Sequence, residues 1–148
     1  MVSVVPRHYI VRTSWVIGEG NNFVRTMASL AGRGIAPSVV NDQIGRLSFT
    51  EDIAAAIRHL MTADAPFGTY NLSNEGAPQS WADIAADVYE LSGASRDAVS
   101  GVSTEDYFRG KSVSPRPANS VLDLGKIEAT GFVPATAAVR LQEYLTRQ

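Results

Sequence analysis

The sequence predicts an α/β fold, a small mixed sheet with flanking helices, and three observations carry that expectation. β-Branched and aromatic runs of strand length alternate with segments whose apolar residues recur at helical spacing. Twelve glycines and seven prolines fall largely at the junctions between them. Of the 148 residues, 45% are hydrophobic and 19% charged, a balance that supports one packed domain over residues 1–148 and excludes a disordered chain.

The run Tyr9 to Ile17 is β-branched and aromatic and stops at Gly18, so it reads as one strand, central because its alternation is blurred. A loop follows at Gly18 to Asn21. Residues 22–33 read as a helix, with Phe23, Met27, Leu30 and Ala31 on one face and Gly32 and Gly34 ending it. Ser38 to Asn41 is a short strand, Asp42 to Gly45 a turn, and Arg46 to Phe49 a second short strand. Thr50 is expected to cap the next helix, with Glu51 and Asp52 in its first turn and Ile53, Ala56, Ile57, Leu60 and Met61 as its apolar stripe. Pro66 and Gly68 break that stripe, and Gly68 to Ser73 is a strand. Ser80-Trp-Ala-Asp83 has the form of a capping box, followed by Trp81, Ile84, Ala85, Val88 and Tyr89 on one helical face ending near Gly93. Val99 to Val102 reads as a strand and residues 103–120 as a polar loop kept from helix by Pro115 and Pro117. A short helix over 123–129 and an amphipathic one over 136–147, with Ala138, Leu141, Tyr144 and Leu145 inward, complete the chain.

Composition removes several classes of function. The net charge of −2 argues against a nucleic-acid binder, which presents a basic stripe. No apolar run reaches the roughly 18 residues of a membrane span, and the first residues lack the features of a signal peptide. The absence of cysteine removes disulfides, thiolate zinc sites and thiol nucleophiles, and makes the cytoplasm the expected compartment. His8 and His59 are far apart, so no metal site is expected; Glu19, Glu51 and Asp52 read as a solvated acidic face. There is neither a Gly-x-Gly-x-x-Gly turn nor a Walker loop: Gly18-Glu-Gly20 is followed by Asn21, Asn22 and Phe23, without the third glycine that a dinucleotide cradle uses.

Four phrases, in order, resemble one family. They are Val11-Arg-Thr-Ser-Trp-Val-Ile-Gly-Glu-Gly-Asn-Asn-Phe-Val24, Val40-Asn-Asp-Gln-Ile-Gly-Arg46, Gly68-Thr-Tyr-Asn-Leu-Ser73 followed by Ser80-Trp81, and Arg116-Pro-Ala-Asn-Ser-Val-Leu-Asp123 with Lys126. Together they are similar to the C-terminal half of the dTDP-4-dehydrorhamnose reductases, which are extended short-chain dehydrogenase/reductases. The resemblance implies the C-terminal part of an extended Rossmann-type reductase. In that family NADPH reduces the 4-keto group of dTDP-4-dehydro-L-rhamnose, giving the dTDP-L-rhamnose used in cell-surface polysaccharide. It further implies that the NADPH-binding Rossmann half and the catalytic Tyr-x-x-x-Lys lie upstream, so this chain holds no catalytic residue, binds no cofactor alone and is inactive in isolation. Its partners would be the dTDP-sugar and that N-terminal half; the sheet edge beside residues 9–17 would also be open to self-association.

Three positions depart from the family pattern: Ile17 stands in place of tyrosine, Leu47-Ser48 in place of Pro-Thr, and Pro134-Ala-Thr136 in place of Pro-x-Trp. They leave room for a reductase half serving another nucleotide sugar, or for a non-catalytic regulatory module that binds a protein. The literal Tyr107-Phe-Arg-Gly-Lys111 is read as chance, because Gly110 interrupts it and the family places its pair before the first strand.

The candidate substrate-binding residues are Trp15, Asn21, Asn22, Phe23, Asp42, Gln43, Arg46 and Arg116. Trp15 offers an aromatic surface to sugar or base, or else packs at a strand end. Asn21, Asn22 and Phe23 sit at a helix start suited to a diphosphate, or else cap that helix. Asp42 and Gln43 offer hydrogen bonds to the ligand, or else shape a turn. Arg46 and Arg116 offer guanidinium forks to diphosphate oxygens, or else make surface ion pairs. Trp81, on its apolar helical face, is expected in the core.

Overall fold

The computed structural model describes residues 4–110, 112 and 114–147. The expected strand over residues 9–17 divides in two at Trp15, whose φ of 50° lies in the left-handed region and breaks the extended backbone. Its first part, β1 (Tyr9–Arg12), pairs in parallel with β6 (Gly68–Asn71), Tyr9 opposite Gly68. Its second part, β2 (Val16–Ile17), pairs in parallel with β5 (Ser48–Phe49). A third parallel ladder joins β3 (Ser38–Val40) to β8 (Ser100–Val102). The expected turn at Asp42 to Gly45 contains β4 (Ile44–Gly45), antiparallel to β7 (Gln79–Ser80). The mixed strand directions are present, spread over four two-stranded ladders.

Local chemistry sets most helix ends. Asn22 accepts from the Arg25 amide and caps α1 (Phe23–Gly32). Ser80 and Asp83 form both bonds of a capping box on α3 (Trp81–Leu91). Thr136 caps α6 (Ala137–Thr146). At α2 (Thr50–Thr62) the expectation fails: Phe49 is the cap, without a side-chain bond, and Thr50 is the first helical residue. The reason is tertiary. Asn74 Oδ1 takes the Phe49 amide at 2.7 Å, and the Thr50 side chain fills the space over Gly18. The expected loop over residues 103–120 contains a short helix, α4 (Thr104–Tyr107), capped by Ser103, and α5 (Gly125–Glu128) follows. Among the described residues no helix is long and apolar enough to cross a membrane.

The buried face of α2 also differs from expectation. Asp52, Ala56 and Leu60 point inward, whereas Ile57 is 43% exposed and Met61 70%. An acid takes the inward place because it is paired there. Arg140 donates to Asp52 through Nε (2.8 Å) and Nη2 (2.9 Å), and the fully buried Asn74 amide donates at 2.7 Å. Asn74 also donates to the Ala135 carbonyl, so this cluster ties α2, α6 and the segment after β6 together. On α6, Leu141 is buried as expected but Ala138 is exposed.

Two apolar clusters flank the cluster around Asp52. One joins α1, α3 and β5 through Val24, Met27, Phe49, Ile84 and Val88; the other joins α2, β6 and α5 through Leu60, Tyr70, Leu72 and Ile127. The departures Ile17, Leu47 and Ser48 are each at most 2% exposed. All three lie in the core, and Ile17 also lines a smaller cavity beside Gly18 and Arg140.

Candidate functional site

The break at Trp15 turns its indole toward α3. The ring stacks on Trp81 with centroids 3.8 Å apart and planes 19° from parallel, and Phe23 meets Trp81 at 4.5 Å. A bulky residue at positive φ costs about 1–3 kcal/mol, and such strain tends to be kept at functional sites. These rings form one wall of a cleft of about 720 Å³, bounded by α1, β3, α4 and the loop carrying Arg116 and Pro117. That volume lies within the range of small-molecule sites. Tyr107 and Phe108, in edge-to-face contact at 4.9 Å, add a second aromatic wall.

Polar groups enter the cleft at few points. Gln43, 8% exposed, donates to Thr104 Oγ1 at 3.0 Å and keeps its carbonyl oxygen unpaired among the described residues. Arg116 lines the cleft, is exposed, and has no protein partner among the described residues. Asp42 lies just behind Gln43: its carboxylate accepts from the Thr104 amide (2.9 and 3.0 Å) and hydroxyl (2.5 Å). These bonds, the hydroxyl first, hold the Asp42 carboxyl below its ordinary value. They also fix α4 and with it Tyr107 and Phe108.

Of the eight residues singled out in the sequence, the fold therefore brings Trp15, Phe23, Gln43 and Arg116 to one cleft. Asp42 stands behind it as a support. Asn22 serves its helix and loop, with Nδ2 donating to the Gly18 carbonyl (2.9 Å) and the Tyr144 hydroxyl (2.8 Å). Asn21 is exposed in the loop before α1 and does not line the cleft. Arg46 lies in a separate shallow groove, where its guanidinium donates to the carbonyls of Gly76 (2.8 Å) and Leu122 (3.3 Å). Trp81, expected in the core, is half-buried against the apolar cluster of α1 and α3 and also lines the cleft; Tyr107 and Phe108 line it too. The sequence signal for Trp81 was its place one residue after a cap, at a helix mouth. Helix α4 ends at Tyr107 and residues 108–110 form a turn, so among the described residues no helix runs on from Tyr107; Lys111 lies outside them.

The glycine loop at residues 18–20 does not fit a dinucleotide. A Cβ on Gly18 would meet Thr50 Cγ2 at 2.6 Å, so the space beside it is filled by protein. The Gly18 carbonyl is occupied by Asn22 and Tyr144, and Asn22 covers the start of α1. No pyrophosphate cradle is formed there.

Comparison with known proteins places the chain. A family model described as the RmlD substrate binding domain matches residues 1–148. The spore coat polysaccharide biosynthesis protein SpsK of Bacillus subtilis (strain 168) is 42% identical over 92% of this chain and 46% of its own length. A dTDP-4-dehydrorhamnose reductase of Aggregatibacter actinomycetemcomitans is 35% identical over 91% of this chain and 49% of its own. The crystal structure of dTDP-4-dehydrorhamnose reductase from Bacillus anthracis in complex with NADP superposes with a TM-score of 0.81 at 32% identity, covering 95% of this chain and 48% of that one. The chain thus spans about half the length of the curated relatives it matches. On the family match and these identities, the chain belongs to the RmlD substrate binding domain family.

Proposed function

We propose that this chain is the nucleotide-sugar-binding part of a dTDP-4-dehydrorhamnose reductase and holds dTDP-4-dehydro-L-rhamnose in the cleft between Trp15 and Arg116. The observation that carries this reading is the meeting of stacked aromatic rings, an amide oxygen and a guanidinium, both without a partner among the described residues, in one cleft of about 720 Å³. A nucleotide sugar presents the matching chemistry: apolar ring faces, hydroxyl donors and diphosphate oxygens. The identity to reductases over nine-tenths of the chain supports the same substrate class.

The role of these residues is to bind and orient. Arg116 neutralises phosphate charge, the Gln43 carbonyl accepts from a ligand hydroxyl, and the aromatic walls exclude water. Positioning of this kind lowers the barrier for a reduction whose chemical groups lie elsewhere. The reductant, NADPH, is assigned to an N-terminal Rossmann half of the same protein, since the loop at residues 18–20 offers it no cradle. The isolated chain is accordingly expected to be inactive. Ile17, Leu47 and Ser48 do not line the cleft, so these departures give no reason there for a different ligand.

Titration with dTDP-L-rhamnose, followed by ligand-observed NMR and repeated with an ADP-sugar, tests the reading. Saturation transfer to the thymine and sugar protons of the dTDP-sugar alone is expected. Equal transfer to both nucleotides would refute the base preference, and transfer to neither would refute the cleft as an autonomous binding site. Steady loss of NADPH absorbance with chain and keto-sugar substrate would refute inactivity.

A further inference from the structure

Gly45 is buried, and its backbone is not in the left-handed region, so conformational freedom does not explain a glycine there. Space does. A Cβ built on Gly45 would stand 2.7 Å from Cε2, 2.8 Å from Cζ2 and 3.0 Å from Cδ2 of the Trp15 indole. Three ring atoms at nearly equal distance mean that the ring lies flat over the glycine. Trp81 meets the same indole at 3.8 Å, nearly parallel. Both contacts issue from one ladder, in which Ile44 pairs with Ser80 and Gly45 with Gln79, and Trp81 follows directly. Trp15 itself sits at φ 50°; among the described residues the other non-glycine residue at positive φ is Asp64, a type that adopts this region readily. A strained backbone, a glycine cut to the ring and a second indole stacked on it all specify one ring position. Neither indole N–H has an acceptor among the described residues, so hydrogen bonding does not fix the pair.

We infer that Trp81 is a positioning residue of the nucleotide-sugar cleft: with Gly45 it fixes the Trp15 indole, and affinity for the ligand depends on that fixed ring. The inference rests on the nucleotide-sugar reading of the cleft. Truncating Trp81 frees Trp15 to rotate into the space left behind, and binding must then restore its order. Adding a methyl at Gly45 displaces the ring without removing either tryptophan.

The experiment uses Trp81→Ala, Trp81→Phe and Gly45→Ala in the full chain, each titrated with dTDP-L-rhamnose and each checked for folding by thermal unfolding. Far-UV circular dichroism gives the second readout, because two stacked indoles produce a coupled band pair that one indole cannot. Trp81→Ala and Gly45→Ala are expected to weaken binding about tenfold, as loss of an aromatic anchor does, and Trp81→Phe only about threefold because it keeps a stacking face. Gly45→Ala is also expected to lose the coupled bands although both indoles remain. Wild-type affinity in folded Trp81→Ala and Gly45→Ala would overturn the inference. Failure of both to fold would overturn it too, by making these residues structural. If the wild-type chain binds no dTDP-sugar, the proposed function fails instead, and the coupled bands in Gly45→Ala still decide whether that glycine and Trp81 hold the ring.

Discussion

Replacing Arg140 with alanine is expected to lower the thermal unfolding midpoint by about 6–12 °C, at 2–4 °C per kcal/mol for a chain of this size. The magnitude follows from what the substitution leaves behind. The Asp52 side chain is 6% exposed and accepts two guanidinium bonds, at 2.8 and 2.9 Å. Breaking a buried pair by removing one partner costs about 3–5 kcal/mol. Here the Asn74 amide still bonds Asp52 at 2.7 Å, and the Arg140 side chain is 26% exposed, so the lower end, about 3 kcal/mol, applies. Hydrogen bonds to Asp52 and then to Glu143 raise the guanidinium pKa above its already high ordinary value, so no accessible pH breaks the pair from the arginine side. Arg147 supplies the internal control. It belongs to the same network, bonding Glu51, but both side chains are more than half exposed. Arg147→Ala should change stability by about 1 kcal/mol or less. Thermal unfolding followed by circular dichroism measures both. A midpoint for Arg140→Ala within 2 °C of that for Arg147→Ala would refute the reasoning that burial of Asp52 sets the cost.

Further outcomes follow from the same structure. The Asp42 carboxyl is held below its ordinary value of 3.8 by Thr104, so its bond to α4 stabilises the fold fully above that value and is lost as pH falls through the depressed one. The protection of the Thr104 amide, the intrinsic exchange rate divided by the observed rate at the same pH, should therefore fall in acid, and Asp42→Asn should flatten that dependence; equal slopes in both proteins would contradict it. Arg116→Ala should weaken dTDP-L-rhamnose binding about tenfold, the loss of one charge-assisted contact. Arg46→Ala, whose donors serve Gly76 and Leu122 outside the cleft, should leave affinity unchanged; isothermal titration of the two variants separates the roles. Ser80→Ala removes half of the α3 capping box and should cost about 1 kcal/mol in urea unfolding, with an unchanged denaturant slope.

The elements ruled by local chemistry were legible along the chain. The caps at Asn22 and Ser80 need only a side-chain oxygen within three residues of an amide, and the alternation of strands with helices needs only spacing. The family could be read from four short phrases in order, and four of the eight candidate site residues converge in the cleft. What failed depended on partners distant in sequence. Asn74 bonds the Phe49 amide and the Thr50 side chain packs over Gly18, so Thr50 became the first helical residue and not the cap; Arg140, 88 residues from Asp52, turned an acid into the buried face of α2 and left Ile57 and Met61 outside.

The sequence alone determined the α/β class, the capped starts of α1 and α3 and the family, because each is written in residues near one another or in a fixed order. Tertiary structure alone decided that Trp15 breaks its strand, that Trp81 at the edge of the core stacks on it, that Gly45 makes room for the ring, and that Arg46 lies outside the cleft while Arg116 lines it. The physical reason is contact. A ring stacked at 3.8 Å across 66 residues, or a guanidinium already claimed by two carbonyls, is a relation between surfaces that spacing along the chain does not encode.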